Sequence, residues 1–201
     1  VMIGNMINKE AVGYFSVASR FVEVLIYIPT MLTQTISPIL VATRKKSQEE
    51  YLRKCQLFMN ISFWLTMIIS LTTSILSYWI VALTFGSSYI FAASVLQLLS
   101  FKAAFVALSS TAGNMIVIEG LQKWVILRDL LGCTVCVIMN YLMLPRYGIM
   151  AASLIAIASN IMAGYIADAI IPQFRHIFVR QTKAIMFGWH DMIRIKSIIR
   201  N

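Results

Sequence analysis

One stretch of the chain limits its fold more than any other: from Cys55 to Phe101 there is no Asp, Glu, Lys or Arg. A run of that length can cross a bilayer twice, because one helical crossing takes about 20 residues. In the whole chain of 201 residues, 59% are hydrophobic and 12% are charged, with a mean hydropathy of +0.79. Soluble domains are about one quarter charged. The sequence therefore excludes a water-soluble catalytic domain and predicts an all-α, polytopic transmembrane helix bundle.

Turn signals divide the apolar sequence into five predicted helices. The clearest are at residues 85–89, with one glycine and two serines, and at residues 145–148, with a proline and a glycine. The predicted helices cover approximately residues 11–43, 56–84, 90–118, 124–144 and 149–171. Residues 1–172 are thus expected to form a transmembrane lobe with five full crossings and the end of a preceding one. Residues 173–201 form a basic tail in which apolar and basic residues alternate, as in a helix lying on a membrane surface.

The distribution of basic residues predicts the orientation, because loops rich in Lys and Arg stay in the cytoplasm. One side of the predicted bundle carries thirteen such residues and the other carries two, Lys9 and Arg146. The thirteen are Arg44, Lys45, Lys46, Arg53, Lys54, Lys123, Arg128, Arg175, Arg180, Lys183, Arg194, Lys196 and Arg200. We therefore expect a multi-pass protein with a cytoplasmic C-terminus. Because these residues flank apolar helices, the net charge of +9 favours anionic membrane lipids as partners and argues against nucleic acid.

A polar stripe runs along the first predicted helix. Its members recur at alternating spacings of four and three residues, which places them on one helical face: Ser16, Arg20, Glu23, Tyr27, Thr30, Gln34 and Ser37. One interpretation is that this face lines a water-filled cavity that binds a sugar or a phosphate. The alternative is that Arg20 and Glu23 neutralise each other while the hydroxyls bond to their own backbone.

Two more ionisable residues, Lys102 and Asp168, lie in predicted crossings, where each costs at least about 2.5 kcal/mol on insertion scales. Lys102 lies near the middle of the third helix and is either a site for an anionic group or the partner of an acid on another helix. Asp168, near the end of the fifth helix, is close in predicted depth to Arg128 at the start of the fourth. We expect these two to form a structural ion pair.

The sequence gives little support for catalysis. Cys133 and Cys136 form a C-x-x-C inside an apolar helix, without a second pair to complete a zinc site, so we expect them to be core residues. His176 and His190 have no acid or nucleophile nearby that suits catalysis. The prediction is a protein that is not an enzyme and holds no metal or cofactor.

Several short motifs, in order and spacing, resemble a known family. The pieces are Ile3-Gly4, Val12-Gly13-Tyr14-Phe15-Ser16-Val17-Ala18-Ser19-Arg20 with Glu23 and Pro29, Ser37-Pro38, Phe85-Gly86-Ser87-Ser88-Tyr89 with Ala92-Ala93 and Leu96, and Asn140 with Leu144-Pro145-Arg146-Tyr147-Gly148 before Ala151-Ala152. Over about residues 1–172 the chain resembles the C-terminal half of a bacterial O-antigen flippase, in the superfamily of multidrug, oligosaccharidyl-lipid and polysaccharide exporters.

The resemblance implies a function and a set of partners. It implies the C-terminal lobe of a twelve-helix fold in the bacterial inner membrane, which flips undecaprenyl-pyrophosphate-linked repeat units of O-antigen or another polysaccharide. On that view Arg20 matches the family pattern. The stripe residues Glu23, Tyr27, Thr30 and Gln34, placed together by their spacing, would face the same cavity, and Lys102, which no family motif matches, is a further candidate contact. The missing N-terminal lobe would be a partner and the chain a fragment; a polysaccharide polymerase and a chain-length regulator are further expected partners. Two rival functions are a cation-coupled drug or small-molecule antiporter of the same fold and a non-transporting scaffold of polysaccharide synthesis.

Overall fold

The computed structural model describes residue 7 and residues 9–190. The motif Ile3-Gly4 and the basic residues Arg194, Lys196 and Arg200 lie outside the described residues. The described part is helical and contains no β-strand. Its helices include four tracts long and apolar enough to cross a membrane: Lys9–Lys46, Gln48–Phe85, Phe91–Glu119 and Gln122–Ile170. The predicted all-α class is confirmed, and these tracts indicate a membrane protein.

Seven α-helices make up the described chain. They are α1 (Lys9–Lys46), α2 (Gln48–Phe85), α3 (Phe91–Leu99), α4 (Lys102–Glu119), α5 (Val125–Ile161), α6 (Ala167–Ile170) and α7 (Arg175–Phe187). Single 3-10 turns, at Ser87–Tyr89, Gln122–Trp124 and Pro172–Phe174, connect several of them, and a π-helical turn, Met162–Ile166, joins α5 to α6.

Two apolar clusters lie toward opposite ends of the bundle. The first joins the start of α1 to Val81, α3 and Ile149. The second joins the end of α1 to the start of α2, the end of α4 and α7. Five basic residues, Arg44, Lys45, Lys46, Arg53 and Lys54, lie where α1 meets α2, so we call this the basic end.

The connector between α1 and α2 is shorter than the charged loop predicted at residues 44–54. α2 begins at Gln48, directly after Ser47, whose Oγ accepts a hydrogen bond of 3.3 Å from the backbone N–H of Glu50. Ser-x-x-Glu is the sequence signature of a helix N-terminus. Acidic side chains in the first turn stabilise a helix because they interact favourably with the positive end of its dipole. The charged residues that suggested a loop therefore start a helix.

The surface of the bundle carries large apolar side chains, whereas one buried helix face is small and polar. Leu83 and Ile126 are 82% and 76% exposed. The buried face of α2 instead carries hydroxyl residues spaced by three or four: Ser62, Thr66, Ser70, Ser74 and Ser77. Small residues on a helix face let another helix approach closely in a membrane. This distribution is that of a protein whose outer surface contacts lipid.

Two breaks interrupt the long helical tracts. Between α3 and α4 the helix breaks at Ser100, whose carbonyl oxygen accepts a hydrogen bond of 2.9 Å from Ser70 Oγ. In α5 the backbone leaves the helical region at Gly148 (φ 63°, ψ −153°), within the turn predicted at residues 145–148. A positive φ favours glycine, because a Cβ strains this conformation. Gly148 thus divides the long tract Gln122–Ile170 into two helical segments.

The first part of the predicted tail is docked on the bundle. α7 buries Ile177, Gln181 and Ala184. Trp64 Nε1 on α2 donates a 2.9 Å hydrogen bond to the carbonyl of Ala184, and Gln181 Nε2 donates one of 2.7 Å to that of Gly164. The helix therefore belongs to the folded core rather than to a separate tail.

Candidate functional site

The polar stripe of α1 lies on an open face of the bundle. The side chains of Arg20 and Glu23 are 80% and 58% exposed and form an ion pair of 3.6 Å. Tyr27 is 60% exposed, and Gln34 is exposed. Val22 and Pro29, in contrast, are buried against the rest of the chain. No part of the described chain covers the stripe at Arg20, although α1 is apolar enough to span a membrane.

The hydroxyls of the stripe behave differently from its charged residues. Thr30 Oγ1 donates within the helix to the carbonyls of Ile26 and Tyr27, both at 2.9 Å. Ser37 is only partly exposed, and its Oγ donates a 2.8 Å hydrogen bond to Asn114 Oδ1 on α4. The Arg20–Glu23 ion pair and the Thr30 bonds both fit the alternative interpretation, in which the two charges neutralise each other and the hydroxyls bond to their own backbone. The exposed members that can contact a ligand are Ser16, Arg20, Glu23, Tyr27 and Gln34.

Lys102 lies in a second polar region, a surface groove of about 360 Å³. The groove is lined by Lys102, Asp129, Gly132, Cys133, Cys136, Ala156, Ser159, Asn160 and Ala163. No residue of α1 lines it, so the structure does not bring Lys102 to the stripe. Within the described residues, neither Lys102 nor Asp129 has an ion-pair partner within 4 Å. Asn160 Oδ1 is buried without a hydrogen-bond partner.

The cysteines differ from the prediction. Cys133 is exposed and Cys136 is partly buried, whereas Cys55 is buried. The expectation that the C-x-x-C packs in the core is wrong for Cys133, because Cys133 lines the open Lys102 groove, whereas Gly132 next to it is buried.

Arg128 and Asp168 form a buried pair. Arg128 Nε lies 3.5 Å from Asp168 Oδ1, and their side chains are 6% and 0% exposed. Arg128 also donates to the carbonyls of Ala163 (2.6 Å) and Gly164 (3.4 Å) and to Ser109 Oγ (2.8 Å). These bonds join α4, α5 and the π-helical turn. The π turn leaves the carbonyls of Ala163 and Gly164 available to side chains, as such turns commonly do.

Sequence reasoning missed Asp129, Ser159 and Asn160. Asp129 follows Arg128 directly and was not distinguished from the charged turn before it. A usable signal was present, because Asp129, Gly132, Cys133 and Cys136 are spaced by three, one and three residues and so share a helical face. The residues of the facing segment, Ala156, Ser159, Asn160 and Ala163, repeat that spacing.

Histidine has no ligand cluster around it in the described chain. His176 Nε2 lies 2.7 Å from Glu119 Oε2, and Tyr51 donates a 3.3 Å hydrogen bond to the other oxygen of that carboxylate. Among residues 9–190 no group of three His, Cys, Asp or Glu side chains has the geometry to hold a metal ion.

Comparison of the chain with protein-family models, with curated proteins and with solved structures found no match.

Proposed function

We propose that the chain is a lobe of a bacterial inner-membrane flippase that moves polyprenyl-pyrophosphate-linked oligosaccharides by alternating access. The observation that carries the proposal is the open, charged face of α1. A guanidinium 80% exposed on an apolar crossing is costly in lipid, so such residues face protein or water-filled cavities. The family resemblance of the sequence supplies the substrate class.

The roles of the stripe residues follow from their chemistry. The guanidinium of Arg20 offers several donors in a planar fork that matches phosphate oxygens. Glu23, 3.6 Å away, holds that guanidinium on the open face. Gln34 can both donate to and accept from sugar hydroxyls, and the Tyr27 ring offers an apolar surface with a polar tip. In this proposal Arg20 holds the pyrophosphate in place, while Gln34 and Tyr27 contact sugars of varied structure.

In the proposed arrangement the chain crosses the membrane five times. The basic end, with its excess of Lys and Arg, would face the cytoplasm, and the Gly148 break would face the periplasm. A second lobe would cover the open face of α1 and rock against it, as in transporters built from repeats. The polyprenyl chain would stay in the lipid throughout.

A cation-coupled antiporter is the less favoured function. Such a protein needs titratable groups on its cavity, and the two carboxylates suggested by the sequence both pair with an arginine: Glu23 with Arg20, and Asp168 with Arg128. A scaffold function is less favoured because the described part of the basic tail packs on its own bundle.

Loss of Arg20 tests the proposal. In cells whose surface polysaccharide depends on this gene, we expect Arg20→Ala to lower polysaccharide display at least tenfold, because a charged hydrogen bond contributes about 1.5–3 kcal/mol. The lipid-linked precursor should accumulate on the cytoplasmic side. Arg53→Ala is the matched control, since Arg53 is exposed but lies at the basic end. Undiminished display in Arg20→Ala cells, at normal protein level, would remove Arg20 from the site.

Thiol labelling tests whether the Lys102 groove is also water-filled. We expect a membrane-impermeant cationic methanethiosulfonate to label Cys133 and Cys136, while Cys55, which is 2% exposed, stays unmodified. Mass spectrometry of the labelled peptides in native membranes provides the measurement. A Cys133→Ser/Cys136→Ser variant should lose all label. Labelling that occurs only after denaturation would show that the groove faces lipid, and would exclude Lys102 as a substrate contact.

A further inference from the structure

A mixed polar and apolar groove lies at the basic end, separate from both regions described above. It has a volume of about 460 Å³, within the range of small-ligand sites, and is lined by Pro38, Ile39, Ala42, Thr43, Lys46, Glu50 and Lys54. Its walls come from the last three turns of α1 and the first two turns of α2. The groove therefore lies at the ends of two helices that are long and apolar enough to cross a membrane.

The polar and apolar parts of the groove are separated along α1. Lys46 is the last residue of the helix, and Pro38 lies eight residues earlier, a distance of about 12 Å along the axis at 1.5 Å per residue. Pro38, Ile39 and Ala42 are all exposed, and Ile39 is 53% exposed. The groove thus has a charged end at the membrane surface and an apolar wall that extends toward the hydrocarbon.

The charged end is partly preorganised. Lys54 Nζ lies 2.9 Å from Glu50 Oε1 and donates to Thr43 Oγ1 at 3.2 Å, which ties α2 to α1. An ammonium has three N–H donors, so one remains for a ligand. Lys46 has no acidic partner within 4 Å among the described residues. The groove therefore offers donors from two lysines.

The charge of the groove selects among ligands. Lys46 and Lys54 against Glu50 leave one net positive charge, which matches the single negative charge of a phosphodiester. A pyrophosphate carries more charge than this groove balances, and the carboxylate of Glu50 would repel the excess. We propose that the groove binds one anionic glycerophospholipid of the surrounding membrane, with the phosphate between Lys46 and Lys54 and a chain along Pro38, Ile39 and Ala42.

Lipid retention by the intact chain tests the site. The protein is reconstituted in nanodiscs of phosphatidylcholine with a minor fraction of phosphatidylglycerol, and native mass spectrometry counts the lipids retained. We expect Lys46→Gln/Lys54→Gln to weaken phosphatidylglycerol binding about 30-fold, because each lysine near an anionic lipid contributes roughly a fivefold factor. The control Arg53→Gln/Arg175→Gln removes the same charge from exposed positions outside the groove and should bind like the unmodified protein.

Each result has a defined meaning. A drop confined to the Lys46/Lys54 variant, with an unchanged melting temperature in phosphatidylcholine alone, supports the site. An equal drop in both variants would overturn it in favour of unlocalised surface charge. A second set of nanodiscs also contains a polyprenyl pyrophosphate, and its retention in preference to phosphatidylglycerol would overturn the assigned ligand. Absence of any retained anionic lipid would overturn the site itself.

Discussion

Replacement of Arg128 by alanine is expected to destabilise the bundle by about 3–5 kcal/mol. Asp168 would then keep a buried charge without a counter-ion, and an unpaired buried charge is far costlier than the loss of an ordinary contact. The substitution also leaves the carbonyl of Ala163 without the 2.6 Å hydrogen bond from Arg128. Unfolding of the detergent-solubilised protein, followed by circular dichroism as denaturant is added, measures the change.

The matched variants separate charge from packing. We expect Arg128→Ala/Asp168→Asn to recover most of the lost stability, because the buried charge is gone. Asp168→Asn alone should cost less than Arg128→Ala, since the guanidinium keeps its bonds to Ala163, Gly164 and Ser109. If Arg128→Ala and the double variant are equally unstable, the carboxylate is not the source of the penalty.

A second large effect is expected from one added methyl group at Gly132. A Cβ built at Gly132 would lie 2.5 Å from Ala163 Cβ and 3.3 Å from Ala163 Cα. Both atoms are fixed by the backbone, so the two segments must separate. We expect Gly132→Ala to cost up to about 3 kcal/mol, the upper range for overpacking a core. The same denaturant titration provides the measurement.

Gly113 on α4 provides the control, because no heavy atom lies within 4 Å of a Cβ built there. Gly113→Ala should stabilise the protein by up to about 1 kcal/mol through helix propensity alone. A compensating Ala163→Gly in the Gly132→Ala protein should restore part of the stability. Equal effects of Gly132→Ala and Gly113→Ala would show that the close approach of the two segments is absent in the membrane.

The sequence predicted those features that depend on spacing within one helix. The stripe of α1 was placed on a single face because a helix repeats every 3.6 residues, and Arg20 and Glu23 do lie together there. The turn near Gly148 was predicted from glycine and proline. The ion pair between Arg128 and Asp168 could be predicted only by comparing the depths of the two residues in antiparallel predicted crossings.

Features that depend on how helices rotate against one another were not predicted. Lys102 and Asp129 share a groove because α4 and α5 present these faces to the same side, and no spacing within either helix fixes that rotation. The docking of α7 was missed for a similar reason. By its polarity Gln181 is expected at the surface. It is buried because its side chain donates a hydrogen bond to the carbonyl of Gly164, which lies in the π-helical turn.

The docked α7 also bears on how the protein is made. α2 supplies Trp64 and Gln56, which donate to the carbonyls of Ala184 and Arg180, respectively. A ribosome completes α2 more than 100 residues before it completes α7, so these donors enter the membrane region without their acceptors. α2 is therefore synthesised well before α7 can dock on it. A chain that ended before Arg175 would lack the acceptors of both bonds.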